Sequence, residues 1–103
     1  MTNILEISAD ELQKSLDNNT DVTIIDVRED EEVAQGVIPT AKHIPLGNIP
    51  EAVGNLDPDK EYVMVCRSGR RSMNASEYLK GNGFEHVKNL EGGMLAWNGE
   101  LVF

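Results

Sequence analysis

The sequence is poor in cysteine and has no long apolar run. Cys66 is the only cysteine among 103 residues, so the chain cannot form an internal disulfide and its stability must come from packing. A lone thiol is typical of a reducing compartment, and the amino-terminal residues lack the basic start and long apolar core of an export signal. No apolar run approaches the roughly 18 residues of a membrane helix. We therefore expect a cytoplasmic protein without a membrane partner.

Basic residues are also scarce. Nine Lys and Arg residues oppose 18 Asp and Glu residues, which gives a formal net charge of −9. Such a charge repels nucleic acid and anionic lipid at long range, so we expect no nucleic-acid partner. A chain of this length is expected to form a single domain over 1–103, and its high charge is compatible with a monomer.

What the sequence does contain is an alternation of short apolar runs with helix-like segments. Strands are predicted within 3–8, 21–27, 43–44, 62–66 and 86–93, and helices or helical turns over about 8–18, 28–36, 48–55, 71–81 and after 93. Ser8 and Glu11 have the spacing of a capping box at the start of the first helix. The alternation favours an α/β fold whose mainly parallel sheet is covered by helices on both faces.

The segment with the most chemical content is "VMVCRSGRRS" at 63–72. Cys66 ends a predicted strand, and the carboxyl ends of parallel strands form the usual ligand crevice. Gly69 permits the positive φ of a tight turn. The N–H groups of such a turn, with those that begin the next helix, can form a cradle for an anion. A sulfur atom in that cradle is expected to ionise readily, which would make Cys66 a nucleophile at neutral pH.

The alternative interpretation is that Cys66 is a small buried hydrophobic side chain, as an isolated cysteine at a strand end usually is. Three nearby arginines, Arg67, Arg70 and Arg71, favour the reactive thiol. Their guanidinium groups keep their charge and suit an oxyanion such as thiosulfate, sulfate or phosphate.

The length of the loop separates two chemistries that could use such a cradle. Cysteine-dependent phosphatases need an arginine six positions after the cysteine, in a loop that wraps a tetrahedral phosphate. Here Arg71 is five positions after Cys66, Ser72 occupies the sixth, and Val65 stands where a phosphatase would have a histidine. A loop one residue shorter should enclose a smaller object, such as one terminal sulfur atom. Sulfur transfer therefore fits better than phosphate hydrolysis.

Four separated segments resemble the motifs of single-domain rhodaneses, which are thiosulfate sulfurtransferase-like proteins. They are "IIDVRED", "GVIPTAKHIP", "CRSGRRS" and "LEGGMLAW", and the resemblance covers almost the whole chain. It implies a doubly wound α/β domain with a central parallel sheet of about five strands. It also implies that Cys66 accepts a sulfane sulfur as a persulfide and passes it to cyanide, a thiol or a protein acceptor, without a metal or organic cofactor.

By the same resemblance, the loop that holds the persulfide consists of Arg67, Ser68, Gly69, Arg70 and Arg71. Arg67 is expected to steer a small anionic donor such as thiosulfate. Arg71 is expected to close the loop and tune the thiolate, whereas Arg70 is expected to point into solvent.

Further residues are expected to support the loop from outside. Asp26 and Arg28 belong to the Asp-Val-Arg signature, and Asp26 is predicted to accept a hydrogen bond from the loop; Ser72 follows the last loop arginine. The sequence departs from the family pattern at Val37, where the family has histidine, and at Thr40, where it has glycine. Both departures are expected to affect loop packing rather than chemistry.

The remaining candidates have structural explanations. His43 and His86 lie far apart in the sequence, and the chain has no second cysteine that could join them as a metal ligand. A metal site is therefore not predicted. Trp97 is predicted to anchor the carboxyl-terminal segment in the core. Two rival functions stay open: a small arsenate reductase or phosphatase, and a non-catalytic interaction or sulfide-sensing module.

Overall fold

Five parallel strands form the central sheet of the computed structural model, which describes residues 3–103. The strands are β1 (Leu5–Ile7), β2 (Thr23–Asp26), β3 (Lys42–His43), β4 (Tyr62–Val65) and β5 (Val87–Leu90). Their order across the sheet is β1-β5-β4-β2-β3, and all four neighbouring pairs are parallel. The predicted α/β class and five-stranded sheet are thus confirmed.

In the described part of the chain, five α-helices connect or follow the strands. They are α1 (Ala9–Asp17), α2 (Asp30–Val33), α3 (Ile49–Ala52), α4 (Arg70–Gly81) and α5 (Gly93–Ala96), with 3₁₀ turns at Leu46–Asn48 and Val53–Asn55. The predicted capping box starts α1, because the Glu11 N–H donates to Ser8 Oγ and the Ser8 N–H donates to the Glu11 carboxylate. No helix within 3–103 combines the length and apolar character needed to cross a bilayer.

The core lies on both faces of the sheet. Ile25 and Met64 pack with α4 residues such as Leu79 in one cluster. Their strand neighbours, including Ile24, pack with α1 through Leu12 and with Trp97 in the other. Successive strand residues point to opposite faces, which explains why β2 and β4 have continuous apolar runs rather than an alternating pattern. Trp97 is buried, as predicted.

The strand order determines which segments meet at the carboxyl edge of the sheet. Because β4 lies between β5 and β2, the loop after β4 is flanked by the segments that follow those two strands. We call residues 66–72 the 66–72 loop and residues 26–33 the β2–α2 corner. The third segment is the Gly-Gly turn at 92–93, which leads into α5.

Candidate active site

The sulfur of Cys66 lies directly after β4, at the centre of the 66–72 loop. The residue is 1% exposed. The Gly69 N–H donates to Cys66 Sγ at 3.0 Å, and the Ser72 hydroxyl donates to it at 3.3 Å. Both donors can stabilise negative charge on sulfur. Of the N–H groups in the predicted cradle, the Gly69 N–H donates to the sulfur in the structure, and the Ser72 hydroxyl is an additional donor.

Two opposing effects set the ionisation of this thiol. Burial raises the pKa of Cys66, because a charged sulfur loses its hydration. Hydrogen bonds from the Ser72 hydroxyl and backbone N–H lower the pKa, as do the N–H groups of Gly69 and Ser68. The hydrogen bonds together outweigh burial, and the pKa of Cys66 is lowered from its ordinary value. The sulfur is therefore biased toward the nucleophilic thiolate.

Gly69 gives the loop its shape. Its φ of 102° lies in the left-handed region, where a side chain would be strained, and α4 begins at the next residue. Its carbonyl oxygen accepts from the Met73 N–H at 3.2 Å and from Asn89 Nδ2 at 3.0 Å. Both the N–H and the C=O of Gly69 are therefore fixed by hydrogen bonds.

The Gly-Gly turn holds the beginning of the loop. The Met94 N–H donates to the Cys66 carbonyl at 2.9 Å, and the Leu95 N–H donates to the Arg67 carbonyl at 3.0 Å. A Cβ on Gly93 would lie 2.5 Å and 2.6 Å from these two carbonyl oxygens. Only glycine allows this approach, which keeps the two carbonyls turned toward α5.

Arg71 is held by an ion pair that links the loop to α2. Its Nη1 and Nη2 atoms donate to the two oxygens of Glu32, each at 2.7 Å. The Arg71 hydrogen bonds lower the pKa of Glu32 to about 2. With its fork engaged on a carboxylate, Arg71 fastens the end of the loop rather than offering its donors to a substrate.

Arg67 and Arg70 differ from Arg71 because both are exposed and form no salt bridge within 3–103. They line separate cavities on the two sides of the loop. The cavity beside Arg67 is also lined by Arg28, Glu32, Gln35, Met94 and Leu95. The cavity beside Arg70 is also lined by Glu6, Ser68, Gly69, Met73 and Asn74. Of the three loop arginines, Arg67 and Arg70 therefore have guanidinium groups that are exposed and without an ion-pair partner within residues 3–103.

The prediction that Asp26 accepts a hydrogen bond from the loop is wrong for the part of the chain described. The buried Asp26 carboxylate accepts from the backbone N–H, Nε and Nη2 of Arg28, at 2.8 to 3.1 Å. These donors occupy both carboxylate oxygens. Arg28 also donates to the carbonyl oxygens of Glu32 and Gly36. The pair therefore organises the β2–α2 corner, which in turn carries the Glu32 partner of Arg71.

Two residues of the site escaped sequence reasoning. Glu32 lies in the acidic run "REDEE", a pattern typical of a solvated helix start. Asn89 lies in a short strand and belongs to no chemical motif. Strand order brings both to the 66–72 loop, across 39 and 20 residues of sequence respectively. The arginine-rich loop was a weak signal for Glu32, since a fixed loop arginine needs a carboxylate partner.

Comparison with known proteins agrees with this geometry. The model of the family described as Rhodanese-like domain matches residues 8–100. A Bacillus subtilis protein named "Putative sulfurtransferase YtwF" is 56% identical over 94% of this chain and 93% of its own. A protein of Allochromatium vinosum named "Sulfurtransferase" is 40% identical over 89% of this chain and 86% of its own. The crystal structure of a rhodanese-like domain protein from Staphylococcus aureus, 42% identical, superposes with a TM-score of 0.90 over 97% of this chain and 98% of that one.

Proposed function

The chain belongs to the rhodanese-like family, and we propose that it is a sulfurtransferase in which Cys66 carries a sulfur atom as a persulfide. The observation that supports this most is the convergence of the Gly69 N–H and the Ser72 hydroxyl on Cys66 Sγ. The loop around that sulfur is short, with only four residues between Cys66 and Arg71. Relatives named as sulfurtransferases support the same activity class.

The first half-reaction loads the enzyme. The Cys66 thiolate attacks the outer sulfur of a donor such as thiosulfate, forming a sulfur–sulfur bond. The bond between the two donor sulfurs breaks, and sulfite leaves with the bonding pair. Arg67, exposed beside the loop, orients the anionic donor, and the cradle donors stabilise the charge that the persulfide carries.

The second half-reaction unloads the enzyme. An acceptor such as cyanide or a thiolate attacks the outer sulfur of the persulfide. The persulfide bond breaks, its electron pair returns to Cys66, and the product is thiocyanate or an acceptor persulfide. Two displacements at one cysteine predict ping-pong kinetics, with no net oxidation of the protein.

Loading with thiosulfate tests the proposal directly. Mass spectrometry should find one added sulfur, about 32 Da, on Cys66 only, and addition of cyanide should remove it as thiocyanate. The variant Cys66→Ala should lose both the adduct and thiosulfate:cyanide activity, whereas Cys66→Ser controls for a mere change in packing and should also be inactive. Activity that persists in both variants would refute the proposal.

The same preparation separates the rival functions. A non-catalytic module would fail to form the persulfide or would keep its sulfur in the presence of cyanide. A phosphatase would release product from an aryl phosphate above background. We expect no such hydrolysis, because the loop is one residue too short to wrap a phosphate.

A further inference from the structure

Asn89 is a buried polar side chain on β5. It is 1% exposed, and Val87 and Leu90 of the same strand are also buried. Its Nδ2 group donates to Gly69 O at 3.0 Å and to Glu6 Oε2 at 3.1 Å. Both partners are acceptors, so the amide orientation is unambiguous: a flipped amide would place its oxygen against two other oxygens.

The other end of this amide is unsatisfied. Among the side chains of residues 3–103, Asn89 Oδ1 is the only buried nitrogen or oxygen without a hydrogen-bond partner. A buried polar atom without a partner is destabilising, and an apolar side chain of similar size, such as leucine, would avoid that cost. Stability of the sheet therefore does not account for an asparagine at this position, whereas its contact with the loop does.

The contact falls on the loop residue with the greatest backbone freedom. Gly69 has a φ of 102°, and its N–H donates to Cys66 Sγ at 3.0 Å. The Met73 N–H also donates to the Gly69 carbonyl, but it belongs to the same helix and moves with it. Asn89 comes from a neighbouring strand and is the one residue within 3–103 that ties this carbonyl to the sheet. An amide supplies the donor without placing a charge near the thiolate.

We propose that Asn89 is a positioning residue of the sulfur-transfer site, holding Gly69 so that its N–H stays aimed at the sulfur of Cys66. The inference rests on the proposed function, because a fixed cradle is useful only if the sulfur reacts. Asn89 touches neither the sulfur nor a substrate. It acts through Gly69, and its loss should change the ionisation of Cys66 before it changes the fold.

The test is a pH titration of the Cys66 thiolate, followed by its ultraviolet absorbance and by its rate of alkylation with iodoacetamide. With one cysteine in the chain, the alkylation rate reports on a single thiol, and the measurement requires no sulfur transfer. In Asn89→Leu the midpoint should rise by about half to one pH unit, which leaves roughly three- to tenfold less thiolate at a pH below both midpoints. The thermal midpoint should stay at or above that of the unmodified chain.

Two further variants complete the design. Asn89→Ala removes the same donor in a smaller side chain, so it should show the same shift even if the leucine variant fails to fold. Glu6→Gln keeps an acceptor for Nδ2 and leaves the bond to Gly69, so its alkylation should be no slower than that of the parent protein.

The outcomes are distinct. The positioning role would be overturned if folded Asn89 variants had the same pH midpoint for Cys66 ionisation as the parent protein. A raised pH midpoint in variants that fold normally would support it. Failure of the parent protein to form a persulfide would refute sulfur transfer but leave the titration result standing.

Discussion

The β2–α2 corner and the 66–72 loop both connect a buried strand to a helix at the carboxyl edge of one sheet. In the corner, Arg28 is 6% exposed and its donors are taken by Asp26 and by two backbone carbonyls. In the loop, Arg67 and Arg70 are exposed. The Gly69 N–H and the Ser72 hydroxyl both donate to Cys66 Sγ. The corner pairs its arginine within the protein, whereas the loop leaves two of its arginines exposed.

Arg71 belongs to both regions. It lies in the loop, but its guanidinium group is paired with Glu32 of the corner. An arginine's position in a motif therefore does not determine its role. The carboxylate within reach does, because a paired arginine has its directed donors already engaged.

The largest difference in stability between the β2–α2 corner and the 66–72 loop is expected for Asp26→Ala. It would leave the Arg28 guanidinium buried without its carboxylate, and removal of one partner from a buried ion pair costs about 3–5 kcal/mol. Denaturant unfolding should show this loss of free energy. A matched change in the loop, Arg67→Ala, should alter stability by less than about 0.5 kcal/mol. Equal losses in the two variants would mean that the regions do not differ in this way.

A second test removes the close approach between the Gly-Gly turn and the loop. Gly93→Ala should cost about 2–4 kcal/mol, because its Cβ would collide with the Cys66 and Arg67 carbonyls at a φ of 55°. Denaturant unfolding measures the loss. Gly47→Ala is the control, since a Cβ there meets nothing within 4 Å. A stable Gly93→Ala protein with normal Cys66 alkylation would contradict the role of this turn.

The Glu32–Arg71 pair should give a smaller effect that depends on pH. The pKa of Glu32 is lowered from 4.5 to about 2 in the folded chain, so the pair stabilises the fold above pH 4.5 and its contribution disappears as the pH falls through 2. Because the Arg71 side chain is 35% exposed and the Glu32 side chain is 27% exposed, we expect the pair to stabilise the fold by at most about 1–2 kcal/mol. Unfolding of Glu32→Gln should therefore differ from that of the parent protein at pH 6 and converge with it near pH 2.

The control for the pH experiment is Glu31→Gln, which removes an exposed neighbouring carboxylate. It should leave the free energy of unfolding nearly unchanged across the same range. If Glu31→Gln and Glu32→Gln behave alike, then Arg71 is not specifically bound by the corner.

The smallest effect on stability, and a selective effect on activity, is expected for the exposed loop arginines. Arg67→Ala should raise the KM for thiosulfate by about tenfold, the loss expected for one charge-assisted contact. Arg70→Ala removes the same charge from the other side of the loop and should raise KM less than about threefold. Steady-state kinetics of both variants measure the difference. Equal effects would show that net charge, rather than the position of Arg67, attracts the donor.

Much of the secondary structure could be predicted from short stretches of sequence. The apolar runs predicted strands that the structure places at β2 and β4, and Ser8 with Glu11 predicted the start of α1. Such features depend on neighbours within a few residues. The 66–72 loop was likewise identifiable because its cysteine, glycine and arginines are contiguous. The predicted hydrogen bond from the loop to Asp26 is wrong because Arg28, two residues away, donates to both oxygens of that carboxylate.

By itself, the sequence determined the class of the fold, the place of the lone cysteine and the length of the loop that follows it, since each depends on residue order and local periodicity. Only the tertiary structure decided which partners complete the site. Glu32, Asn89 and Gly93 reach the loop because β4 lies between β2 and β5. Contacts across that order join residues far apart in the chain, where no local pattern specifies the pairing.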